Sequence, residues 1–309
     1  MTSYRRDGTV GPWASEKLNC LEKYLSAYTT ILRKQSWCHS YLYIDAFAGA
    51  GRAKLRQPDS EIQTNQVNLF ANLPDEDLPD EESESYIDGS PRVALSIKHP
   101  FTKYIFIELN PDRASQLEEL KSEFRNSRDI QIVAGEANNV IQKKVLERDL
   151  YDWSRTRAVA FLDPFGLQVP WKTIEALAST KAIEVIVNLP VGMTIQRMLP
   201  ASGEFTSQQR DRLTSYFGSP DWESILYSVS SGLLGDTREK IRNSGEVLAR
   251  WYQERMTEAF GHAAVPRLIR NSSGGHLYYL LWAGPNPTGA RIASHVLAQG
   301  TPIHTSTGS

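Results

Sequence analysis

Cysteine is nearly absent from this 309-residue sequence, which has only Cys20 and Cys38. Their spacing suits neither a zinc site nor a disulfide framework, so a reducing cytoplasm is the expected compartment. No apolar run approaches the roughly 20 residues that a membrane-spanning helix needs. The opening MTSYRRDGTVGPW also lacks the apolar stretch of a secretory signal, and no membrane association is expected. A large charge of one sign is missing too: the formal net charge is -2. A chain that wraps nucleic acid over its whole surface is strongly basic, so that class is excluded. A local strip, Arg52, Lys54 and Arg56, keeps nucleic acid among the candidate partners, although scattered charge on a solvated loop accounts for it as well. There is no internal repeat.

What is present alternates between two kinds of segment. Over 13–35, Ala14, Leu18, Leu21, Leu25, Tyr28 and Leu32 recur at steps of four and three, which predicts a helix with one apolar stripe. Short β-branched and aromatic runs follow at 41–44, 103–108, 129–133, 157–163 and 183–188, with helical patterns at 111–126, 136–148 and 170–179 between them. Asn110 can cap the first of these helices and Pro111 can sit at its first position. This alternation predicts a parallel sheet covered by helices on both faces, with right-handed crossovers. Late in the chain, AVPRLIR and HLYYLLWA flank the turn signal NSSGG, a hairpin pattern. The expected fold is α/β and Rossmann-like: a mostly parallel sheet closed by an antiparallel hairpin, as in methyltransferases of that type.

The expected organisation is an N-terminal helical segment at 1–40 and a ligand-binding core at 41–190. An acidic loop, 52–88, interrupts that core; it contains PDEDLPDEESES and reads as solvated. A polar, helical insertion follows at 191–247, with turn breaks at Pro200, Gly218 and Gly235. A closing helix, hairpin and final helix occupy 248–309.

Five places carry chemistry. The first is Asp45-Ala46-Phe47-Ala48-Gly49-Ala50-Gly51 after the first strand. Glycines there let the backbone approach a ligand, because no Cβ intervenes. A dinucleotide fingerprint requires a third glycine, and Lys54 stands in its place. S-adenosylmethionine (SAM) has no pyrophosphate and needs no such helix start. It needs a glycine-rich turn under its methionine part and acids near its amino group, a need Asp45 fits. An ordinary tight turn is the alternative. The second place is Glu108, at the end of the second strand, where an acid accepts from ribose hydroxyls or simply begins a helix. The third is Glu136, which either faces the adenine amino group or stabilises the next helix N-terminus.

The fourth is Asp163-Pro164-Phe165-Gly166, at the carboxyl edge of the fourth strand, where ligands bind in open α/β sheets. A carboxylate and a proline-held carbonyl can accept from an exocyclic amine, and the aromatic can stack on the ring that carries it. Orientation would do most of the work. A strand-terminating turn is the plainer reading. The fifth, Asn188-Leu189-Pro190, sits one strand over and can line the same pocket.

Read together, WASEKLNCLEKYLSAY, YIDAFAGAG, DGSP, FIELN, FLDPFG, VIVNLP and the final HLYYLLWAGPNPTGARIASHVL resemble the three-Cys-motif partner protein (TcmP) family over nearly the whole chain. AFAGAG and LDPFG are the most specific parts. The resemblance implies a SAM-dependent methyltransferase-type fold and a separate partner protein carrying three cysteines. The DPFG element is also similar to one in tRNA guanine N2-methyltransferases. It departs from the DNA amino-methyltransferase pattern, which has two prolines before the aromatic. The reading is thus a SAM-dependent methyltransferase acting on an amine of a nucleobase or other planar substrate. Its expected catalytic residues are Asp163, Pro164 and Phe165. Its expected SAM-binding residues are Asp45, Phe47, Ala48, Gly49, Gly51, Glu108, Asn110, Glu136 and Asp163, with no metal. Two other readings stay open: a SAM- or nucleotide-binding protein without turnover, and a Mg²⁺-dependent hydrolase or nuclease using Asp45, Glu108 and Asp163 as oxygen ligands.

Overall fold

A computed structural model describes residues 9–10, 13–55, 86–147, 149–232, 235–271 and 273–299. Its centre is an eight-stranded sheet. The strands are β1 (Ser40–Asp45), β2 (Lys103–Glu108), β3 (Ile130–Ala134), β4 (Thr156–Leu162), β5 (Ile183–Leu189), β6 (His262–Ala263), β7 (Arg267–Arg270) and β8 (His276–Gly284). The spatial order is β6-β8-β5-β4-β1-β2-β3, with β7 also paired to β8. The strands from β1 to β5 run parallel, while β8 is antiparallel to β5, β6 and β7. This is the expected Rossmann-like sheet with its closing hairpin.

The alternating side chains of each strand feed two cores. Leu42, Ile44, Ile105, Ile107, Ala158 and Ala160 face one layer, built on α4 (Trp171–Ser179), α5 (Ser207–Phe217) and α6 (Ser244–Phe260). Tyr43, Tyr104, Phe106, Val159 and Phe161 face the other, built on α1 (Trp13–Leu32), α2 (Ser90–Ser96), α3 (Pro111–Phe124) and α7 (Pro287–Ala298). Every residue of β5 is buried, as befits a strand covered on both faces. The predicted stripe of α1 is the face it buries. Asn110 caps α3 by accepting from the Arg113 amide at 3.1 Å.

Two segments differ from expectation. Residues 191–247 are not wholly helical: after α5 and the short helix Trp222–Leu226 come two antiparallel strands, Tyr227–Gly232 and Gly235–Lys240. Nor is the segment polar throughout. Leu213, Tyr216, Phe217, Trp222 and Leu226 are buried in the same core as the sheet, so 191–247 is continuous with the main body. The stretch 52–88 begins and ends in strands, Arg52–Leu55 and Tyr86–Asp88, which pair with each other. The acidic run at 74–85 and Arg56 lie outside the described residues, as does the side chain of Lys54; Arg52 lies 3.8 Å from Asp88. Cys20 and Cys38 are free and buried. Among the described residues no helix is long and apolar enough to cross a membrane.

Candidate functional site

In an open parallel sheet, ligands bind outside the carboxyl ends of the strands where the strand order reverses. Here that point lies between β1 and β4, whose following loops carry the glycine-rich turn and Asp163-Pro164-Phe165-Gly166. The turn leaves β1 by bonding first one neighbour and then the other: the Ala46 amide donates to the Phe161 carbonyl and the Ala48 amide to the Ile107 carbonyl, both at 3.0 Å.

The two glycines of the turn have different tasks. Gly49 has φ +66°, and a Cβ built on it would meet no atom of the described residues within 4 Å. It therefore borders open space. Its amide donates to Glu108 Oε2 at 2.9 Å. Gly51, at φ +78°, faces inward: a Cβ there would lie 2.8 Å from Leu120 Cδ2. Its carbonyl accepts from the Gly89 amide at 2.8 Å. Gly51 packs the turn onto α3 and the start of α2 and does not present itself to a ligand.

Glu108 is buried at the end of β2 and accepts from two amides, Gly49 and Asn110, the latter at 2.8 Å. A carboxylate offers about four acceptor positions, so capacity remains for a ligand. Arg113 lies 4.0 Å away. Beside it, Leu109 is two-thirds exposed. The sequence reading passed over Leu109; an apolar residue directly after the strand-end acid in FIELN is the signal that marks it.

Several expected ligand residues are placed elsewhere. Asp45 is fully buried beneath the turn. It accepts from Tyr43 Oη at 3.1 Å and the Phe47 amide at 3.4 Å. Burial pushes its carboxyl up to about 7, opposed by hydrogen bonds from Ser90 and Tyr43. A group so enclosed organises the turn. Ala48 is buried, and Phe47 is half-buried against the core. The Asn110 oxygen is committed to its helix cap. Glu136 caps the helix Ala137–Val140, accepting from the amides of Asn138 and Asn139 at 3.0 and 2.9 Å. It also draws in the Asn138 side chain, whose amide donates to the Gln168 carbonyl at 2.8 Å. Gln168 Oε1 in turn accepts from the Phe165 amide at 2.8 Å, so Glu136 reaches the Asp163 loop only through intermediaries.

That loop is more open than the turn. Asp163 is partly exposed, Pro164 is buried, and Phe165 is 69% exposed. The Pro164 carbonyl accepts from the Gly166 amide at 3.1 Å, which uses one of its two lone pairs. Asp163 Oδ1 accepts from Asn188 Nδ2 at 2.7 Å, which joins the fourth and fifth strand ends. Asp163 Oδ2 forms an ion pair with Lys17, a residue the sequence reading did not single out. Lys17 Nζ also stands 5.4 Å from the Tyr278 ring centroid. Lys17 is held there because the start of α1 is anchored on the closing hairpin. Trp13 packs against Ile269, Leu277 and Tyr278, and Glu16 pairs with Arg267.

No family model and no curated protein matches the sequence. Solved structures with a related outline exist. One is a Legionella pneumophila protein of the DUF519 family, at 13% identity, 91% coverage of each chain and TM-score 0.44. Another is yhhF of Escherichia coli, whose methyltransferase activity is itself a proposal, at 12% identity, coverage of 85% of this chain and 87% of that one, and TM-score 0.32. A conserved Streptococcus pyogenes protein of hypothetical status matches at 13% identity, with coverage of 70% and 95% and TM-score 0.29. With TM-scores below 0.5, these likenesses carry no functional argument.

Among the described residues, no three His, Cys, Asp or Glu side chains gather as a metal site requires. Asp45 is enclosed beneath the turn, and Asp163 is engaged by Lys17 and Asn188.

Proposed function

We propose that this chain is a SAM-dependent methyltransferase whose acceptor is an amine, carried by a nucleobase or another planar group. The observation that carries the reading is Gly49. It holds a left-handed conformation at the switch point, its missing side chain opens onto empty space, and its amide is tied to a strand-end acid. That cradle fits SAM. Gly49 leaves room for the methionine part, Glu108 has acceptor capacity for the ribose hydroxyls, and exposed Leu109 is available to cover the adenine. SAM supplies a methyl group on a positively charged sulfur. The chain's own part is to hold the amine: Asp163 and the free lone pair of the Pro164 carbonyl accept its hydrogens, and exposed Phe165 stacks on its ring. Holding the nitrogen in line is the main source of acceleration.

A SAM-binding protein without turnover is the second reading, favoured by Lys17 sitting on Asp163. Transfer of a labelled methyl group to cellular RNA, DNA or protein decides between the two. The resemblance to the TcmP family adds a proposed partner carrying three cysteines, the scarcity of cysteine in this chain adds a proposed cytoplasmic setting, and nucleic acid is the proposed carrier of the amine.

The experiment is calorimetric titration of SAM and of its demethylated product into wild-type protein and Glu108→Ala. Wild type binds both, with no dependence on a chelator. The substitution weakens both alike, by about 1–3 kcal/mol, as expected for hydrogen bonds to a charged group. Affinity unchanged in Glu108→Ala overturns the assignment.

A further inference from the structure

Three side chains at the carboxyl edge lie on the α1 face of the sheet. Asp163 follows β4, Asn188 ends β5, and Tyr278 lies on β8, two residues from Leu280, the register partner of Asn188. Alternation along each strand puts Asn188 and Tyr278 on one side, and the Asn188 bond to Asp163 puts the carboxylate there too.

The orientation of the Asn188 amide is fixed by chemistry. An ionised carboxylate only accepts, so Asn188 must turn its NH₂ to Asp163. That leaves its carbonyl oxygen turned away from Asp163. Among the described residues this oxygen, which is buried, has no donor, and Asn188 is only 6% exposed. The hydroxyl of Tyr278, equally buried, has no partner among them either.

A carboxylate and an aromatic face are components that recognise an ammonium group: they supply opposite charge and π-electron density. In this structure an ammonium is already there. Lys17 pairs with Asp163 and stands 5.4 Å from the centre of the Tyr278 ring. It is an incomplete occupant: of its three N–H donors, one finds an acceptor among the described residues, Asp163. It also arrives on a long flexible stem whose ordering costs entropy.

We propose that Asp163, held in place by Asn188, and the Tyr278 ring form a binding site for a primary ammonium group, occupied by Lys17 in the free protein and vacated when a ligand amine enters. The proposal rests on the reading that Asp163 meets an amine, and it deepens that reading in two ways. It makes the site one for a hydrogen-bond-donating nitrogen that binds as ammonium and gives a proton to the Asp163 carboxylate before its lone pair can take a methyl group, and it makes Lys17 an internal competitor for that site.

The test uses ethylammonium chloride as the probe, the full-length chain, no SAM, and sodium chloride to match ionic strength. Lys17→Met keeps the stem of the side chain and removes the ammonium. Ethylammonium should raise the melting temperature of Lys17→Met saturably, with a half-saturating concentration at least tenfold below that of wild type. Tetramethylammonium has the charge but no N–H, and should give no saturable shift. Lys17→Met/Asp163→Asn should lose the response to ethylammonium. Saturation-transfer NMR of the ethylammonium methyl group on wild type and on Asp163→Asn needs no change at residue 17 and covers the case in which Lys17→Met does not fold. Signal that is lost in Asp163→Asn supports the site. Equal response in wild type and Lys17→Met, saturable binding of tetramethylammonium, or binding that survives Asp163→Asn overturns it. Because SAM is absent, failure here leaves the SAM titration standing, and failure of that titration leaves this result standing.

Discussion

Glu184 sits near the start of β5, buried on the α1 face, where Tyr24 Oη donates to its carboxyl. Burial raises this group from its ordinary 4.5 to about 7, and the hydrogen bond from Tyr24 only partly opposes the rise. Moving a carboxyl by that amount corresponds to about 3 kcal/mol at 1.36 kcal/mol per pH unit. The sign follows from proton counting. Below about pH 4 the group is protonated in both folded and unfolded chains and contributes nothing. Between about 4.5 and 7 the folded state holds more protons than the unfolded one, so stability falls as pH rises. Above about 7 the folded chain carries a buried anion and bears the full cost. Glu184→Gln keeps the shape and the acceptor oxygen but cannot ionise. The variant should match wild type near pH 4 and exceed it by up to about 3 kcal/mol near pH 8.5, local relaxation making this an upper bound. Urea unfolding of both proteins across that range gives the difference curve, in which every other titrating group, Asp45 included, cancels. A difference that is flat with pH, or that grows as pH falls, refutes the account.

Two further outcomes follow from packing. A Cβ on Gly192 would lie 1.7 Å from the backbone oxygen of His276; Gly192→Ala should cost about 3 kcal/mol, the upper end for overpacking, measured as a lower denaturation midpoint with unchanged slope. Deleting 191–247 removes Leu213, Tyr216, Phe217, Trp222 and Leu226 from the core beneath α4 and α6, so the shortened chain should lose cooperative unfolding by calorimetry, whereas a sharp transition would show that the segment is a separable module.

The parallel strands were legible because each is a short β-branched or aromatic run closed by a turn signal. The closing hairpin was legible from NSSGG. The strands at 227–240 were not, because alternation in YSVSSG is limited to Tyr227 and Val229, and GDTREK has no apolar residue. In the site, the strand-end positions of Glu108 and Asp163 were readable, as was the nearness of Asn188. The enclosure of Asp45 was not: an acid after a strand looks the same whether the turn lifts it into a cleft or folds over it. Glu136 could be read as a cap or as a ligand group, and the helix amides took it. Lys17 was the least legible, since its partner lies 146 residues away and nothing local distinguishes it from any polar residue of an amphipathic helix.

The pairing of Arg52–Leu55 with Tyr86–Asp88, together with the bond from Gly89 to Gly51, clamps both ends of the intervening stretch side by side at the rim of the turn. A closed stem makes the stretch thermodynamically cheap to lengthen or shorten, since closure entropy grows only with the logarithm of loop length and each doubling costs about 0.6 kcal/mol. The glycine turn is thereby insulated from whatever the chain carries between the two strands. Residues 56–85 can diverge in length and charge, even acquire a new binding segment, while Gly49 and Glu108 keep their places.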